Sequence, residues 1–307
     1  MIPSENYASK EVRDAVGSIL MNKYSEGYSG KRYYQGNKIV DEIEIFAIEK
    51  AKGLFKVEHV NVQPYSGSPA NAEVLFALLN HGDKIMGLKL SSGGHLTHGH
   101  PDITFSGKYF TSVQFGTDDG VINYDEVEKL AKEEKPKLLI IGTTAYPLIF
   151  DWKRLGEIAD SIGAWFVADV SHVAGLILSD VYPSPVPYCH VVTTTTHKTL
   201  RGPRGAMIMV TKKGIEKDTE ISGKIDRAVF PGLQGGPHNN TTAGIAIALS
   251  EAEGPGFKEY GKQIVTNAKL LAELLKKGGL TIVTGKTECH LIVVDLRPLG
   301  VSGSVIA

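Results

Sequence analysis

The chain has 307 residues, 42% of them hydrophobic and 22% charged, with a formal net charge of -1. This composition is typical of a soluble protein, and the length favours two domains over one. The near-neutral charge argues against nucleic-acid binding, the lack of a run of about 18 apolar residues argues against a membrane span, and the charged N-terminus argues against a secretory signal. The two cysteines, Cys189 and Cys289, form no disulfide framework or metal spacing, so we expect a cytoplasmic protein.

The first 36 residues are predicted to form a polar lead-in, a short helix and a loop. Apolar residues share one helical face between Val12 and Leu20. Residues 23–36 hold four tyrosines, three glycines, one carboxylate and three cations without periodicity, which predicts a loop. Because tyrosines offer rigid contact area with a polar tip, we expect this loop to contact a ligand or another subunit; the alternative is a mobile surface loop.

Two helices are predicted next. Apolar spacing from Val40 to Leu54 predicts a helix that Gly53 ends near Lys52. The second helix follows Gly67, with Ser68 as its N-cap and Pro69 at its first position, and runs to about residue 80. Its free N–H groups and dipole would bind an anion, although many helices begin this way with no phosphate.

From Asp83 onward, strands and helices alternate, which predicts a mostly parallel sheet with helices on both faces. The predicted strands are 84–90, 137–142, 164–169, 190–196 and 206–210, and the predicted helices are 124–134, 152–162, 242–253 and 257–277. Gly254-Pro255-Gly256 is predicted to mark a domain junction, and strands 281–284 and 290–296 would begin a second domain. We therefore predict three parts: an N-terminal segment 1–36, a large domain 37–254 and the start of a small domain 255–307.

The strongest chemical signal is Lys198. Four threonines from 193 to 196 have a strong β bias, and the strand should stop before the following Gly-Pro-Arg-Gly turn. Lys198 then lies just past a strand end, where an α/β fold exposes chemistry. Beside Arg201, Arg204 and His197 its ammonium form would be disfavoured, and a neutral amine can form a Schiff base with pyridoxal phosphate. The alternative is a solvated lysine in a basic turn.

Three other stretches could bind a ligand. Asp169 ends a buried strand, where it would either pair with a cation, such as a pyridine nitrogen, or cap the next helix. The histidines at 95, 98 and 100 invite a metal site, but their spacing matches no zinc pattern and we expect none. The glycine pair before His95 would let its ring lie over an aromatic ligand. The glycine-rich loop 231–237 could form an anion nest or be merely flexible.

Together these stretches closely resemble the serine hydroxymethyltransferases, which are pyridoxal phosphate enzymes of the aspartate-aminotransferase fold. The matching segments, in family order, are Ser4-Glu5-Asn6-Tyr7, Tyr24-Ser25-Glu26-Gly27-Tyr28, Gly30-Lys31-Arg32-Tyr33-Tyr34, Ser66-Gly67-Ser68, Gly93-Gly94-His95-Leu96-Thr97-His98-Gly99, Asp169 to Gly175, Thr193 to Gly205 and Gln234-Gly235-Gly236. The resemblance implies fold type I: an α/β large domain with a mostly parallel seven-stranded sheet, followed by a second, incomplete C-terminal α/β domain.

The resemblance also implies roles at the cofactor. Lys198 forms the internal aldimine and Asp169 holds the pyridinium nitrogen. His95 stacks on the ring and His172 contacts its phenolate oxygen. The other implied cofactor contacts are Gly67 and Ser68 at the phosphate, Thr144, Thr195 and His197, and the glycines Gly235 and Gly236, the latter reaching in from a second subunit. The implied catalytic set is Lys198, Glu26, His95, Thr195 and His197.

The implied reaction converts L-serine and tetrahydrofolate to glycine, 5,10-methylenetetrahydrofolate and water. Glu26 is the implied proton-transfer carboxylate. The implied substrate contacts are Ser4, Tyr24, Glu26, Tyr34 and Arg204, with Leu90 and Leu96 against the folate ring. Tyr24 and Tyr34 would act across a homodimer with shared active sites, and neither nucleic acid nor membrane is an expected partner.

The chain departs from the family pattern in three places. Thr144 stands where a serine is usual, and Ser171 replaces a common alanine beside the ring. The chain also begins about one helix late and ends early in the small domain. The family's arginine for the substrate carboxylate would lie beyond Ala307, and we therefore expect this chain alone to be a poor catalyst. A folate-independent aldolase of the same fold and an inactive cofactor-binding fragment remain alternatives.

Overall fold

The computed structural model describes residues 2–307. The strands are β1 (Gly27–Tyr28), β2 (Lys31–Arg32), β3 (His59–Asn61), β4 (Lys84–Leu88), β5 (Thr111–Phe115), β6 (Leu138–Gly142), β7 (Trp165–Asp169), β8 (Val191–Thr195), β9 (Ala206–Val210), β10 (Thr281–Ile282) and β11 (Val294–Asp295). The helices are α1 (Lys10–Val16), α2 (Lys38–Phe55), α3 (Gly67–Leu78), α4 (Phe105–Tyr109), α5 (Tyr124–Glu134), α6 (Trp152–Ser161), α7 (Ala174–Leu178), α8 (Lys212–Lys217), α9 (Ile221–Arg227), α10 (Asn239–Glu253), α11 (Pro255–Lys277) and α12 (Gly303–Ile306). Shorter or irregular helical turns cover Ile19–Asn22, Leu90–Ser92, Ala228–Leu233 and Arg297–Leu299. No helix in residues 2–307 is long and apolar enough to cross a membrane.

A seven-stranded sheet, in the order β3-β9-β8-β7-β6-β4-β5, forms the centre of the molecule. The five strands from β8 to β5 are parallel, whereas β9 pairs antiparallel with both β8 and β3. This confirms the predicted mostly parallel, seven-stranded sheet. Every residue of β6, β8 and β9 is buried, as expected for strands covered on both faces. Alternate residues face opposite layers: Leu139 packs in the larger core and Leu138 in the smaller one.

Two predicted helix ends were wrong. Helix α2 continues past the exposed Gly53 to Phe55, because Ala51 and Phe55 are buried on one face and outweigh the cost of one glycine. It ends where Lys56 adopts a left-handed backbone with φ 58. Helix α3 begins at Gly67 with Ser66 as its N-cap, so Pro69 lies within the first turn, where a missing N–H costs little.

The tyrosine-rich stretch is not a plain loop. Strands β1 and β2 form a small antiparallel hairpin within it. The hairpin is tied to α2 by Arg32, whose Nε lies 2.8 Å from Asp41 and whose Nη2 lies 3.0 Å from Glu44, with both Arg32 and Glu44 buried. These contacts argue against the mobile-loop alternative.

The C-terminal stretch has less strand than predicted, because only β10 and β11 pair, over two residues each. Its residues Cys289 and Leu291 nevertheless pack in the larger core with Phe257 and Val265 of α11. The backbone N–H of Glu288 also donates to the carbonyl of Pro147 at 2.9 Å. The C-terminal segment is therefore packed against α11 and the loop that follows β6. The proposed domain boundaries stay predictions.

Candidate functional site

A cavity of about 230 Å³ opens at the carboxyl ends of the parallel strands, the usual ligand edge of such a sheet. Asp169 ends β7 and Thr195 ends β8, so the fold brings neighbouring strand ends together there. The cavity is lined by Ser4, Ser66, Gly67, Ser68, His95, Thr143, Asp169, Ser171, His172, Thr195, His197, Lys198 and Arg204. Most of the residues that the resemblance placed at the cofactor therefore share one cavity.

Asp169 is 8% exposed and accepts four hydrogen bonds. Asn71 Nδ2 and His98 Nε2 donate to Oδ2 at 2.8 and 3.0 Å. The backbone N–H and the hydroxyl of Ser171 donate to Oδ1 at 3.0 and 2.6 Å. Burial alone would raise the pKa of Asp169, but the bonds from His98 and Ser171 outweigh it and hold this pKa well below its ordinary value. The site thus contains a fixed, ionised carboxylate.

Sequence reasoning missed the structural role of Asn71 and His98. Asn71 also accepts from the Thr193 hydroxyl at 2.7 Å and donates to Thr97 Oγ1 at 2.9 Å. The detectable signal was its position one helical turn after Gly67, which places both on one face of α3. His98, considered only as a metal ligand, is fully buried against Asp169. Within residues 2–307, no group of three or more histidine, cysteine or acidic side chains is arranged to hold a metal.

Lys198 lies in the turn after β8, and its Nζ donates to the hydroxyl of Thr195 at 3.2 Å. Burial lowers the pKa of Lys198, and the Arg204 charge adds to this, although Asp169 opposes it. A larger fraction of Lys198 is therefore in the neutral amine form than is the case for a solvated lysine. Arg201 does not add to this lowering of the Lys198 pKa. Its guanidinium lies outside the cavity lining and over the Tyr260 ring, 4.5 Å from the centroid.

Three histidines of the cavity have neutral rings at neutral pH. Burial lowers the pKa of His95 to about 4, of His197 to about 4 and of His172 to about 3. His95 Nδ1 is fixed by the Thr97 hydroxyl at 2.7 Å. His172 Nε2 lies 3.4 Å from Ser4 Oγ. A neutral, fixed imidazole suits contact with the face or edge of a flat ligand.

The N-terminus of α3 forms the anion-binding side of the cavity. Ser66, Gly67 and Ser68 all line it, and the first N–H groups of a helix have no partner within the helix. A Cβ at Gly67 would lie 2.6 Å from Thr195 Cγ2, so glycine is required for this close approach.

Five predicted residues lie together outside this cavity, and we call them the tyrosine–glycine cluster: Tyr24, Glu26, Tyr34, Gly235 and Gly236. The rings of Tyr24 and Tyr34 meet edge to face at 5.8 Å. A Cβ at Gly235 would lie 3.4 Å from Glu26 Oε1, and one at Gly236 would lie 3.0 Å from Tyr24 Cζ. Tyr24 remains 60% exposed. Within one chain, the predicted site residues are thus divided between the cavity and the tyrosine–glycine cluster.

Three remaining predicted residues also lie outside the cavity lining. Leu90 and Leu96 are 40% and 39% exposed and flank the glycine pair before His95. The Thr144 hydroxyl donates to the carbonyl of Gly94 at 2.7 Å, so it supports that loop. Its neighbour Thr143, which sequence reasoning missed, is the threonine that lines the cavity.

Comparison with known proteins places this geometry in a family. A family model described as serine hydroxymethyltransferase matches residues 1–307. The chain is similar to the serine hydroxymethyltransferases of Acidothermus cellulolyticus (52% identical over 309 residues, covering 100% of this chain and 70% of that protein) and Desulfotalea psychrophila (53% over 308 residues, 100% and 71%). It is also similar to that of Acidiphilium cryptum (53% over 305 residues, 99% and 69%). The chain therefore belongs to the serine hydroxymethyltransferase family, whose enzymes use pyridoxal phosphate as cofactor and tetrahydrofolate as co-substrate.

Proposed function

We propose that this chain reversibly transfers the hydroxymethyl group of L-serine to tetrahydrofolate, with pyridoxal phosphate attached through Lys198, and so serves glycine synthesis and one-carbon metabolism in the cytoplasm. One observation carries the proposal. The cavity brings the Lys198 amine, the ionised Asp169 and the N-terminus of α3 together at one sheet edge. An amine, a carboxylate and an anion site match the aldehyde, the ring nitrogen and the phosphate of this cofactor.

The residues present fit the cofactor. Ser66, Gly67 and Ser68 would hold the phosphate at the helix N-terminus, with His197 beside them. Asp169 would face the ring nitrogen and His95 the ring face. When bound, pyridoxal phosphate supplies an electron sink for charge that develops at the substrate α-carbon.

Asp169 would keep a proton on the ring nitrogen. Its four hydrogen bonds fix the carboxylate before any ligand arrives, so no reorganisation is needed on binding. A contact between opposite charges at about 4 Å is worth roughly 4 kcal/mol at an effective dielectric constant near 20. The cationic side chains that line the cavity are Lys198 and Arg204. Arg204 is the exposed one of the two, so we assign it to the carboxylate of serine, which a guanidinium can bind with two hydrogen bonds.

Glu26 would transfer the proton of the hydroxymethyl group or folate, with Tyr24 and Tyr34 around the amino acid. These residues do not line the cavity of their own chain, which supports a homodimer in which the partner supplies the tyrosine–glycine cluster. An apolar groove on α2 and α10, about 440 Å³, adds support because Ile39 and Phe46 in its walls are 62% and 49% exposed. A second copy that covers the groove would bury them.

The test is cleavage of serine to glycine with and without tetrahydrofolate. We expect glycine formation to depend on tetrahydrofolate and to be lost in Lys198→Ala, with Lys212→Ala, an exposed lysine away from the cavity, as the matched control. Cleavage of serine at the same rate without tetrahydrofolate would contradict the proposal and indicate a folate-independent aldolase.

A further inference from the structure

His290, a residue that no motif identified, touches the cavity from the C-terminal stretch. Its Nε2 lies 3.3 Å from Nδ1 of His172. The two rings lie nearly parallel, at 20°, with centroids 5.5 Å apart. The distance between the ring centroids is longer than the distance from Nε2 to Nδ1 by about one ring width. The two nitrogens therefore face each other along the line that joins the ring centres. This is the geometry of a direct hydrogen bond between two imidazoles.

Both rings are neutral, since burial lowers the pKa of His172 to about 3 and that of His290 to about 4, with the Lys198 charge adding to both. A neutral imidazole has one N–H donor and one bare acceptor nitrogen. One ring must therefore donate to the other, and the tautomers of His172 and His290 are coupled.

The other nitrogen of His290 decides between the two arrangements. Its Nδ1 is buried and has no hydrogen-bond partner. If His172 donated, His290 would carry its proton on Nδ1, as a buried N–H without an acceptor, which proteins rarely contain. If His290 donates from Nε2, its Nδ1 is a bare lone pair, and His172 keeps its own proton on Nε2. That N–H is directed toward Ser4 Oγ, 3.4 Å away in the cavity lining.

We propose that His290 is a positioning residue: its Nε2–H donates to Nδ1 of His172 and fixes His172 as the tautomer that offers an N–H donor from Nε2 to the cavity. This inference rests on the proposed function and on the contact with the phenolate oxygen of the cofactor that the family resemblance implies for His172, a contact in which His172 must donate. The backbone holds His290 in place, because its neighbours Cys289 and Leu291 are 1% and 2% exposed in the larger core. The Thr287 hydroxyl also donates to the carbonyl of Leu291 at 2.6 Å.

The experiment uses nitrogen NMR of the chain labelled at histidine, without cofactor, where two-bond couplings separate protonated from bare ring nitrogens. His172 is assigned from its missing signals in His172→Gln. We expect a protonated Nε2 and a bare, hydrogen-bonded Nδ1 in the unaltered chain. His290→Phe keeps a ring but removes the donor, and should give a mixture of both His172 tautomers. His290→Gln restores a donor and should restore the single tautomer.

Unchanged signals of the distant, buried His190 show that each variant is folded. A proton on Nδ1 of His172 in the unaltered chain, or the same single tautomer in His290→Phe, would overturn the proposal. With pyridoxal phosphate added, His290→Phe should bind it about tenfold more weakly and shift its absorption maximum, and His290→Gln should do neither. Failure of every form to bind pyridoxal phosphate, with the expected tautomers present, would overturn the proposed function and support the His290 assignment.

Discussion

Neutral histidines are the main acid–base feature of the individual residues, both in the cavity and away from it. An unperturbed histidine has a pKa near 6.5, but burial lowers the pKa of His172 to about 3 and that of His190 to about 4. The neutral state of His190 has a structural role, because its unprotonated Nδ1 accepts a hydrogen bond from the backbone N–H of Phe166 at 2.9 Å. Asp169 shows the opposite case of a buried group that stays charged, since donors surround it.

This difference predicts a pH dependence of stability. Between the lowered folded pKa and about 6.5, the unfolded chain binds more protons than the folded chain, so stability increases with pH. The contribution is complete above about 6.5 and is lost as the pH falls toward the folded pKa values of about 3 and 4. Each of His172 and His190 should contribute a slope of up to about 1.4 kcal/mol per pH unit.

The measurement is denaturant unfolding of the cofactor-free chain at pH 7, 6 and 5. His190→Asn, which can still accept from Phe166, should show a shallower slope than the unaltered chain. A free energy of unfolding that stays constant or increases on acidification would contradict this interpretation.

At the scale of elements, the regular central strands and amphipathic helices could be predicted from the sequence. Strand β9 and helix α5 have the predicted bounds. In each, the spacing of apolar residues along the chain corresponds directly to the residues that are buried. Strands β3 and β5 were not predicted, since one has three residues and the other lies at the sheet edge with mixed exposure. Their strand state depends on pairing partners that local sequence does not show.

The same reasoning separates the predictable part of the site from the rest. Lys198 and Asp169 follow strand patterns that indicate the sheet edge, so they could be found. Asn71 and His290 come to the site by tertiary contacts, from a helix interior and from a stretch 118 residues away from His172. His290 has no local pattern that indicates its role, and Asn71 has only its spacing of one helical turn from Gly67.

The start of α3 gives a prediction at this scale. In Gly67→Ala, the new methyl would lie 2.6 Å from Thr195 Cγ2 and should displace the threonine that accepts from Lys198. Overpacking of this kind costs about 1–3 kcal/mol, and we expect pyridoxal phosphate to bind at least about tenfold more weakly.

Gly53→Ala is the matched control, because a Cβ there meets nothing within 4 Å in the helix α2. It should leave binding unchanged and should stabilise the chain by roughly 0.5–1 kcal/mol. Absorption titration and thermal unfolding measure both effects. Equal cofactor affinity in Gly67→Ala and Gly53→Ala would show that close packing at Gly67 is not needed.

For the whole molecule, the division of predicted residues between the cavity and the tyrosine–glycine cluster is the central feature. If two copies share their sites, Glu26 of one chain acts beside Lys198 of the other. Mixing inactive Lys198→Ala and Glu26→Ala chains in equal amounts should then restore about a quarter of the activity, because half of the dimers are mixed and each has one intact site. No recovery at any mixing ratio would indicate sites built within one chain.

The most direct test of the central claim is to locate the covalent attachment of pyridoxal phosphate. The chain is saturated with the cofactor, reduced with hydride and digested, and the modified peptide is sequenced by mass spectrometry. We predict one pyridoxyl group, on Lys198, and none after the same treatment of Lys198→Ala, while Lys212→Ala behaves as the unaltered chain. A reducible adduct of equal yield in Lys198→Ala, or modification spread over surface lysines, would contradict the assignment of this cavity.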